Sequence, residues 1–461
     1  MKERTKLTEL TAITPIDGRY RDRVVDLASH VSEYSLIATR IEVEAKYLIA
    51  LSDIKIVRPL KRNERSKLNS FGSNLTLQSA RKVKRIEEET RHDVKAMELV
   101  FRSLVKGTSL EDITEMIHFG LTSEDVNNLA YRLMLKRATK HICVPAIDHL
   151  VTELVDRAEK YKSTPMLART HGQAAMPTTV GKEIIVFAAR LNKELRDLKE
   201  RELTGKLTGA VGNLNALQFA YPKIDWLSFS QNFVRSFGFR PSLATTQINP
   251  YEDMIAHFQN YQRINGIIID FAQDMWRYVS DDWFVQEVRT GERGSSTMPQ
   301  KVNPIDFENG EGNLTMANGI FETLSRKLST SRLQRDLSDS TTIRNIGTVL
   351  GYSFVGYTSI LNGLSRVRPN EEQIAQDLNK DWAILAEGAQ TIMRTLGVDD
   401  PYSLMASLTR GRHIDEAQWR TLVDQLPIPE ENRKTLRNLT PETYLGNAVE
   451  ITERAIEEIK S

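Results

Sequence analysis

The stretch INGIIIDFAQDMWRYV, residues 264–279, shows the dominant sequence pattern of this chain. Its apolar side chains recur every three or four residues, at Ile264, Ile268, Phe271 and Met275, which is the spacing of one face of an α-helix. A half-buried strand would instead alternate apolar and polar residues. The stretch therefore predicts a long helix with one buried face.

The same spacing recurs on both sides of this stretch. Apolar stripes occupy residues 147–158 and 184–198 upstream, and residues 317–328 and 343–364 downstream. Alternating strand patterns are nearly absent from the sequence. We therefore predict an all-α fold whose long helices form a bundle, with sites built from side chains on facing helices and the loops between them.

Changes in sequence texture indicate three mostly helical domains. The first 112 residues mix short periodic pieces with charged stretches, and a new helix start follows the last long stripe, where Pro369 precedes Asn370. We expect an N-terminal helical domain at 1–112, a central long-helix bundle domain at 113–365 and a C-terminal helical domain at 366–461.

The composition limits the function classes. The chain has 461 residues and a formal net charge of +1, so no overall field draws it to nucleic acid or to an anionic membrane. Cys143 is the only cysteine, which excludes an internal disulfide framework. The N-terminus lacks a signal-peptide pattern, and no apolar run approaches the ~20 residues of a membrane span. We expect a soluble cytoplasmic protein that binds a small molecule.

A polar loop, GERGSSTMPQKVNP at 291–304, follows the 264–279 stretch. Its glycines and prolines exclude a helix through it. Ser295, Ser296, Lys301 and Asn303 offer hydroxyl, ammonium and amide donors within nine residues. These donors are suited to an anionic ligand.

The stretch RTHGQAAMPT at 169–178 places His171 in a segment that we expect to be irregular, ahead of a helix at 180–200. One interpretation is a turn histidine that caps nearby backbone groups. The other is a proton donor, because histidine titrates near neutral pH. The stretch alone does not decide between the two.

Two further stretches offer anion-binding groups. In TEMIHFGLTSEDVNNL, 114–129, Thr122 or Ser123 is followed by acidic residues, a helix N-cap pattern whose free N–H groups also attract anions. In RLQRDLSDSTTIRN, 332–345, Arg335 and Arg344 flank a hydroxyl-rich turn; they either end a surface helix or supply paired donors to phosphate or carboxylate.

Cofactor motifs are missing from the sequence. The glycines of LTGKLTGAVGNLNA, 203–216, have the wrong spacing for a dinucleotide site, and neither a phosphate-loop lysine motif nor an H-E-x-x-H zinc pair occurs. We therefore expect no cofactor and no metal.

Several of these stretches resemble a known family. GSSTMPQKVNP at 294–304 is similar to the signature G-S-S-x-M-P-x-K-x-N of the fumarase/aspartase superfamily. The rest of the chain resembles, in order, the adenylosuccinate lyase family of the bacterial long-chain type. The stretches that carry this resemblance are PIDGRY at 15–20, RHDVKAME at 91–98, HFGLTSEDVNN at 118–128, RTHGQ at 169–173, GAVGNLNA at 209–216, TTQINP at 245–250 and QRDLSDST at 334–341.

The resemblance implies a fold, an activity and an assembly. The fold is a three-domain helical one, whose central long-helix bundle is shared in a homotetramer with active sites assembled from three subunits. The activity is β-elimination of fumarate from adenylosuccinate, which gives AMP, and from the succinyl-aminoimidazole carboxamide ribotide of purine biosynthesis. It proceeds by general acid/base catalysis and requires no cofactor.

The resemblance also assigns roles to residues. His171 is the general acid that protonates the leaving nitrogen, supported by His92, and Ser295 is the base that removes the carbon-bound proton. The residues implied to bind the nucleotide and its phosphate are Arg19, Tyr20, Arg335, Ser340 and Arg344. The residues implied to surround the succinyl group and base are Arg91, His92, Asp93, Thr122, Ser123, Gln247, Ser296, Lys301, Asn303 and Asn309. The substrate-binding set also includes Val302, Thr341, Thr342 and Ile343.

The residue types suit this chemistry. Removing a proton from the carbon beside a carboxylate places two negative charges on that carboxylate, and donors such as Lys301 and Asn303 would stabilise them. A serine hydroxyl acts as a base only where its alkoxide is stabilised in a water-poor site. We therefore expect the 291–304 loop to be a lid that carries the base.

Two alternatives stay open. MPQK, with Gln300, is also typical of argininosuccinate lyases, so that enzyme or another fumarate-releasing lyase of the superfamily is the main alternative. A more distant one is a non-catalytic helical scaffold, although such a protein would be free to lose His171, Ser295 and Lys301.

Overall fold

The computed structural model describes residues 6–289, 291, 294 and 297–461, and most of them are helical. The all-α prediction is confirmed. The α-helices are α1 Arg21–Val24, α2 Ala28–Val31, α3 Glu33–Asp53, α4 Arg62–Ser70, α5 Leu77–Thr90, α6 Asp93–Val105, α7 Ser123–Ala138, α8 Val144–Lys160, α9 Val180–Glu200, α10 Asn215–Ala220, α11 Trp226–Arg235, α12 Glu252–Ser280, α13 Ile305–Leu328, α14 Ser338–Ile343, α15 Ile346–Leu364, α16 Glu371–Leu378, α17 Ala386–Thr395, α18 Pro401–Thr409, α19 Glu416–Asp424, α20 Glu430–Arg437 and α21 Ala448–Lys460.

Short tight turns of helix join some of these elements. Single 3₁₀ segments lie at Val25–Leu27, Glu111–Met116 and Trp382–Leu385. A π-helical turn, Thr139–Cys143, connects α7 directly to α8. No helix in the described part of the chain is long and apolar enough to cross a membrane.

The predicted stripes form the buried faces of the long helices. The 264–279 stretch lies within α12, and Ile264, Phe271 and Met275 are each at most 3% exposed. The 147–158, 184–198 and 317–328 stripes lie in α8, α9 and α13. The 343–364 stripe is not one helix, because α14 ends at Ile343 and α15 begins at Ile346, which leaves Arg344 in the break.

The described strands form three two-stranded ladders. β1 Pro165–Thr170 pairs antiparallel with β2 Gln173–Thr179. β3 Thr204–Gly205 pairs parallel with β4 Arg240–Pro241. β5 Phe284–Gln286 pairs antiparallel with β6 Val367–Pro369.

The expectation of an irregular segment around His171 is wrong, because this segment is the β1–β2 hairpin. Thr170 pairs with Gln173, so His171 and Gly172 form a two-residue turn. Their φ angles are 52° and 74°, and positive φ at both positions is what the favoured hairpin turn requires. An irregularity in the ladder after Leu167 breaks the alternation that would have predicted the strands.

The chain divides into two compact units. The first comprises Met1–Ala146, Glu194–Asn265 and Gly312–Gly356, and the second comprises Ile147–Lys193, Gly266–Glu311 and Tyr357–Ser461. The predicted three-domain division at 1–112, 113–365 and 366–461 stays a prediction.

Each unit has its own aromatic core. In the first, α3 packs against α7, and the ring of Tyr47 contacts Phe229 and Phe233 edge to face. In the second, the ring of Phe271 contacts Phe187 and Phe307 edge to face. These contacts hold α3 against α11 in the first unit, and α12 against α9 and α13 in the second.

The glycine-containing 203–216 segment is fastened to the start of α7 in the first unit. The fully buried carboxylate of Asp125 accepts hydrogen bonds from the backbone N–H groups of Thr208 at 3.0 Å and Gly209 at 3.2 Å. The ammonium of Lys206, also fully buried, lies 2.9 Å from the same carboxylate. This segment is therefore a structural support for the α7 N-terminus.

Two glycines of this segment allow a matched test of stability. Gly212 has a φ of 90°, and a Cβ there would lie 2.0 Å from the carbonyl oxygen of Thr245. Gly209 has a φ of 79°, but an added Cβ there would lie 3.7 Å from the nearest atoms, which belong to the backbone of Leu214. We expect Gly209→Ala to lower the free energy of unfolding by about 1–2 kcal/mol through backbone strain alone, and Gly212→Ala to lower it by roughly 2 kcal/mol more. Urea unfolding of both variants measures the difference, and equal losses would contradict the close contact.

Candidate active site

A cavity of about 380 Å³ in the first unit is lined by charged and hydroxyl side chains. It brings together eight residues that the sequence assigned to substrate binding: Arg91, His92, Asp93, Ser123, Arg335, Ser340, Thr341 and Arg344. It also contains Arg40, Glu87, Asn127, Tyr131 and Leu337, which sequence reasoning missed. Its lining includes four arginines, and arginine is suited to binding phosphate and carboxylate groups.

Arg91 and His92 form the corner between α5 and α6. Arg91 ends α5 in the left-handed region, with a φ of 56°, and its N–H donates to the carbonyl of Glu87 at 2.8 Å. His92 caps α6, because its Nδ1 accepts a hydrogen bond from the N–H of Lys95 at 3.1 Å. An accepting Nδ1 carries no proton, so the ring keeps its proton on Nε2. The corner thus turns both side chains toward the cavity.

Ser123 is the first residue of α7, and it lines the same cavity. The carboxylate of Asp125 accepts a hydrogen bond from the N–H of Thr122 at 2.9 Å. The predicted N-cap is therefore confirmed, with Thr122 at the cap position. The positive end of the α7 dipole faces the cavity, and this favours a bound anion.

Arg335 is held in place by three acceptors. Its guanidinium donates to Gln247 Oε1 and to Ser340 Oγ, both at 3.0 Å, and lies 3.1 Å from Glu124 Oε2. Glu124 is only 3% exposed, and burial raises its pKa even though Arg335 acts against the shift. Gln247 thus contacts Arg335 and does not itself line the cavity.

Arg344 lies in the break between α14 and α15, and its guanidinium is shared by two carboxylates. It lies 2.8 Å from Asp93 Oδ2 and 3.0 Å from Glu33 Oε2. The same oxygen of Asp93 accepts from Arg40 at 2.7 Å. Burial acts to raise the pKa of Asp93, but Arg40 and then Arg344 outweigh it and lower that pKa to about 2.

This lowered pKa makes the stability contribution of Asp93 depend on pH. Because its pKa lies below the ordinary 3.8, the ionised carboxylate stabilises the fold above that value and loses its effect as the pH falls toward about 2. We expect Asp93→Asn to lower the free energy of unfolding by about 2 kcal/mol at pH 7, and by less below pH 4. Urea unfolding of wild type and variant across this pH range measures the change. A difference that stays constant with pH would contradict it.

The sequence contains signals for most of the missed residues, but these signals can be interpreted only once the fold is known. Arg40 lies on the apolar face of α3 and is 1% exposed, so it is a charged residue within a buried stripe. Asn127 and Tyr131 follow Ser123 at intervals of four, on one face of α7. Glu87 precedes Arg91 by the same interval at the end of α5.

Six predicted residues of the first unit do not line this cavity: Thr122 and Gln247, described above, and Arg19, Tyr20, Thr342 and Ile343. Arg19 is exposed, and the hydroxyl of Tyr20 accepts a long hydrogen bond of 3.4 Å from Asn313. The hydroxyl of Thr342 donates to the carbonyl of Ser338 at 2.9 Å, and Ile343 is 1% exposed in the core. A second cavity of about 280 Å³, lined by Asp17 and Arg21 among others, shares Arg344 with the first.

His171 lies in the second unit, at the tip of the β1–β2 hairpin, and its side chain is exposed. The hairpin is fixed near its end, since the guanidinium of Arg169 lies 5.4 Å from the ring centre of Trp283. The two-residue turn thus presents the imidazole to solvent in the isolated chain.

The signature loop is also in the second unit, and Ser295 and Ser296 lie outside the described residues. The side-chain amide of Asn303 donates to the backbone carbonyl of Gly294 at 2.5 Å. The backbone carbonyl of Asn303 accepts a hydrogen bond from the side-chain amide of Gln286 at 3.0 Å. A Cβ on Gly294 would lie 1.9 Å from the carbonyl oxygen of Lys301. The two arms of the loop therefore cross at a point where only glycine fits.

The other predicted residues of this loop and of α13 are placed as follows. Lys301 is exposed, Val302 is half-buried, and Asn309 Oδ1 accepts from the hydroxyl of Ser359 at 2.7 Å. Within the described residues, no group of three or more His, Cys, Asp or Glu side chains could hold a metal ion.

Comparison with known proteins first gives the class. A family model described as "Lyase" matches residues 18–319. The fold is similar to the crystal structure of β-carboxy-cis,cis-muconate cycloisomerase from Acinetobacter calcoaceticus, with a TM-score of 0.74 and 16% identity over 95% of this chain and 100% of that one. It is also similar to a fumarate lyase from Mesorhizobium, with a TM-score of 0.73 and 15% identity over 95% of this chain and 97% of that one. The class is thus that of the lyases.

The remaining comparisons are more specific. A family model described as "Adenylosuccinate lyase C-terminal" matches residues 331–445. An adenylosuccinate lyase of Haemophilus influenzae is 44% identical over 97% of this chain and 99% of its own length. That of Escherichia coli K12 is 42% identical over 96% and 98%, and that of Dictyostelium discoideum is 44% identical over 96% and 97%. The chain belongs to the adenylosuccinate lyase family.

Proposed function

We propose that this protein eliminates fumarate from adenylosuccinate to give AMP, and from succinyl-aminoimidazole carboxamide ribotide in purine biosynthesis. The observation that carries the proposal is the cavity with four arginines in the first unit of a chain of this family. Adenylosuccinate carries a phosphate and two carboxylates, and arginine forms paired hydrogen bonds with both kinds of group.

The nucleotide is bound by the first unit. Arg344, which both cavities share, takes the phosphate together with Arg19 and Tyr20. Arg335 and Ser340 are already joined by a hydrogen bond of 3.0 Å, so they act as one preformed pair of donors. Thr341 and the backbone of Thr342 and Ile343 complete this side. The α7 N-terminus at Thr122 and Ser123, and the α5–α6 corner at Arg91, His92 and Asp93, surround the base and the succinyl group.

The elimination itself needs a base and an acid. Ser295 takes the proton from the carbon beside one carboxylate, and the electron pair of that C–H bond is held on the carboxylate as a second negative charge. Lys301, Asn303 and Ser296 stabilise this charge, with Val302 and Asn309 supporting the loop. The pair then forms the C=C bond of fumarate as the C–N bond breaks. His171 gives its proton to the leaving nitrogen.

The active enzyme is proposed to be a homotetramer whose sites combine residues from three subunits. This follows from the family resemblance. It is supported by the exposed position of His171 at a hairpin tip, where a neighbouring subunit could use it.

An absorbance assay tests the proposed function. Purified protein with adenylosuccinate is expected to form AMP and fumarate in equal amounts, with a metal chelator present and without added cofactor. Argininosuccinate, the substrate of the main alternative, is expected to give no fumarate. Turnover of argininosuccinate but not of adenylosuccinate would replace the proposal with that alternative, and turnover of neither would favour the non-catalytic scaffold.

A further inference from the structure

Four charged side chains form a continuous line along the cavity wall of the first unit. Arg40 bonds Asp93 at 2.7 Å, Asp93 bonds Arg344 at 2.8 Å, and Arg344 bonds Glu33 at 3.0 Å. The Nε of Arg40 also donates to Asn127 Oδ1 at 2.8 Å, which fixes its guanidinium from the α7 side. Asp93 thus has two cationic partners and Arg344 has two anionic ones.

The two arginines differ in how easily a ligand reaches them. The side chain of Arg40 is 2% exposed, whereas that of Arg344 is 37% exposed. An anion entering the cavity can therefore take Arg344 away from its carboxylates but cannot displace Arg40. When Arg344 leaves, Asp93 still has Arg40, so no buried carboxylate is left without a partner.

We propose that Arg40 is a positioning residue that keeps the Asp93 carboxylate paired, so that the Arg344 guanidinium can be transferred from Asp93 to an anionic group of the ligand. The ligand is taken as a nucleoside monophosphate, and in this respect the inference rests on the proposed function. Arg40, whose side chain is 2% exposed, acts in this proposal through Asp93 and not by contact with the substrate. Its effect is on the cost of freeing Arg344.

The surroundings of Asp93 predict how its pKa would change if Arg40 were removed. The charged and titratable groups that face this carboxylate or share its cavity are Arg40, Arg344, Glu33, Tyr131, Glu87, Arg91, His92 and Arg335. Within the described chain, Arg40 and Arg344 are the ones at ion-pair distance. Burial opposes the charge on Asp93 and Arg40 is the main group that restores it, so without Arg40 the pKa of Asp93 rises. It rises most when Arg344 is bound to the ligand.

The test uses the full-length protein, AMP as the probe, and Arg40→Met. Titration calorimetry in two buffers of different ionisation enthalpy counts the protons taken up on binding. In the wild type Asp93 stays ionised throughout, so it adds none; in Arg40→Met it takes up a proton as Arg344 moves to the phosphate. The phosphate of AMP titrates equally in both proteins. We expect extra proton uptake by the variant at pH 6, together with a KM for adenylosuccinate raised about tenfold and kcat nearly unchanged.

Four further variants separate this role from a loss of structure. Arg40→Gln keeps a hydrogen-bond donor to Asp93 without the charge, and it is expected to show the same extra proton uptake if Arg40→Met folds poorly. Arg40→Lys keeps the charge and is expected to behave as the wild type. Arg132→Met removes another fully buried arginine, which bonds Asp253 at 2.8 Å and does not line the cavity, and it is expected to show no extra uptake. Arg40→Met/Asp93→Asn is expected to lose the extra uptake.

The outcomes separate the two proposals. Wild-type protein that neither binds AMP nor cleaves adenylosuccinate overturns the proposed function. Wild-type protein that binds AMP, with the same proton uptake in the Arg40→Met and Arg40→Gln variants, overturns only the positioning role. Extra uptake that persists in the double variant also overturns it, because the proton then belongs to another group.

Discussion

Replacing His171 or Ser295 by alanine is expected to lower kcat by about 10³-fold, since each change removes one of the two proton transfers of the elimination. KM for adenylosuccinate is expected to change little, because the groups that bind the nucleotide are in the other compact unit. Steady-state absorbance measurements with each purified variant, over a range of adenylosuccinate concentrations, give kcat and KM.

Mixing the two inactive variants tests whether a site uses several subunits. If His171 and Ser295 of one site come from different chains, random reassembly of equal amounts restores both residues in about a quarter of the sites. The matched control mixes His171→Ala with the double variant His171→Ala/Ser295→Ala, in which no site can recover. Verified subunit exchange without any recovery of activity would show that one chain supplies both residues.

Gly294→Ala is expected to lower kcat by about 100-fold, because a displacement of about 1 Å in a catalytic loop has an effect of that size. The new Cβ would lie 1.9 Å from the carbonyl oxygen of Lys301, so the two arms of the loop must move apart. That movement displaces Lys301 and breaks the hydrogen bond from Asn303 to the Gly294 carbonyl.

Gly291 provides the control for this prediction in the same loop. It has a φ of 89°, so alanine there introduces backbone strain, but no atom of the described residues lies within 4 Å of the new Cβ. We expect Gly291→Ala to lower kcat by less than about tenfold. Steady-state kinetics of the two variants under identical conditions make the comparison, and equal losses would mean that strain, and not the crossing with Lys301, governs the effect.

Local patterns predicted the helices well, because a buried helix face requires a fixed spacing of apolar side chains. The stripe at 264–279 and the helix starts at Thr122 and Asn370 are where the sequence placed them. The break at Arg344 was not predicted, since apolar spacing continues across it while the backbone does not. The β1–β2 hairpin was missed for a similar reason: its irregular register removes the alternation that marks strands.

The family resemblance alone predicted Arg91, His92 and Asp93 as site residues, and neither it nor the local patterns predicted the five further residues of the cavity. The motifs include Asp93 and Arg344. No local sequence pattern, however, indicates that Arg40, 53 positions before Asp93, bonds the same Asp93 oxygen as Arg344 does. Such contacts depend on how helices pack, and periodicity within one helix does not specify its neighbour. The close approach of Gly294 to the Lys301 carbonyl likewise depends on the path of the loop in three dimensions, which the sequence pattern does not specify.

A crystal structure of the assembled protein with AMP and fumarate bound would show where the nucleotide lies and which subunits supply the acid and the base. We expect the AMP phosphate within hydrogen-bond distance of Arg344, and fumarate between His171 of one subunit and Ser295 of another. A nucleotide bound outside the cavity of the first unit, or His171 and Ser295 facing separate cavities, would contradict this expectation.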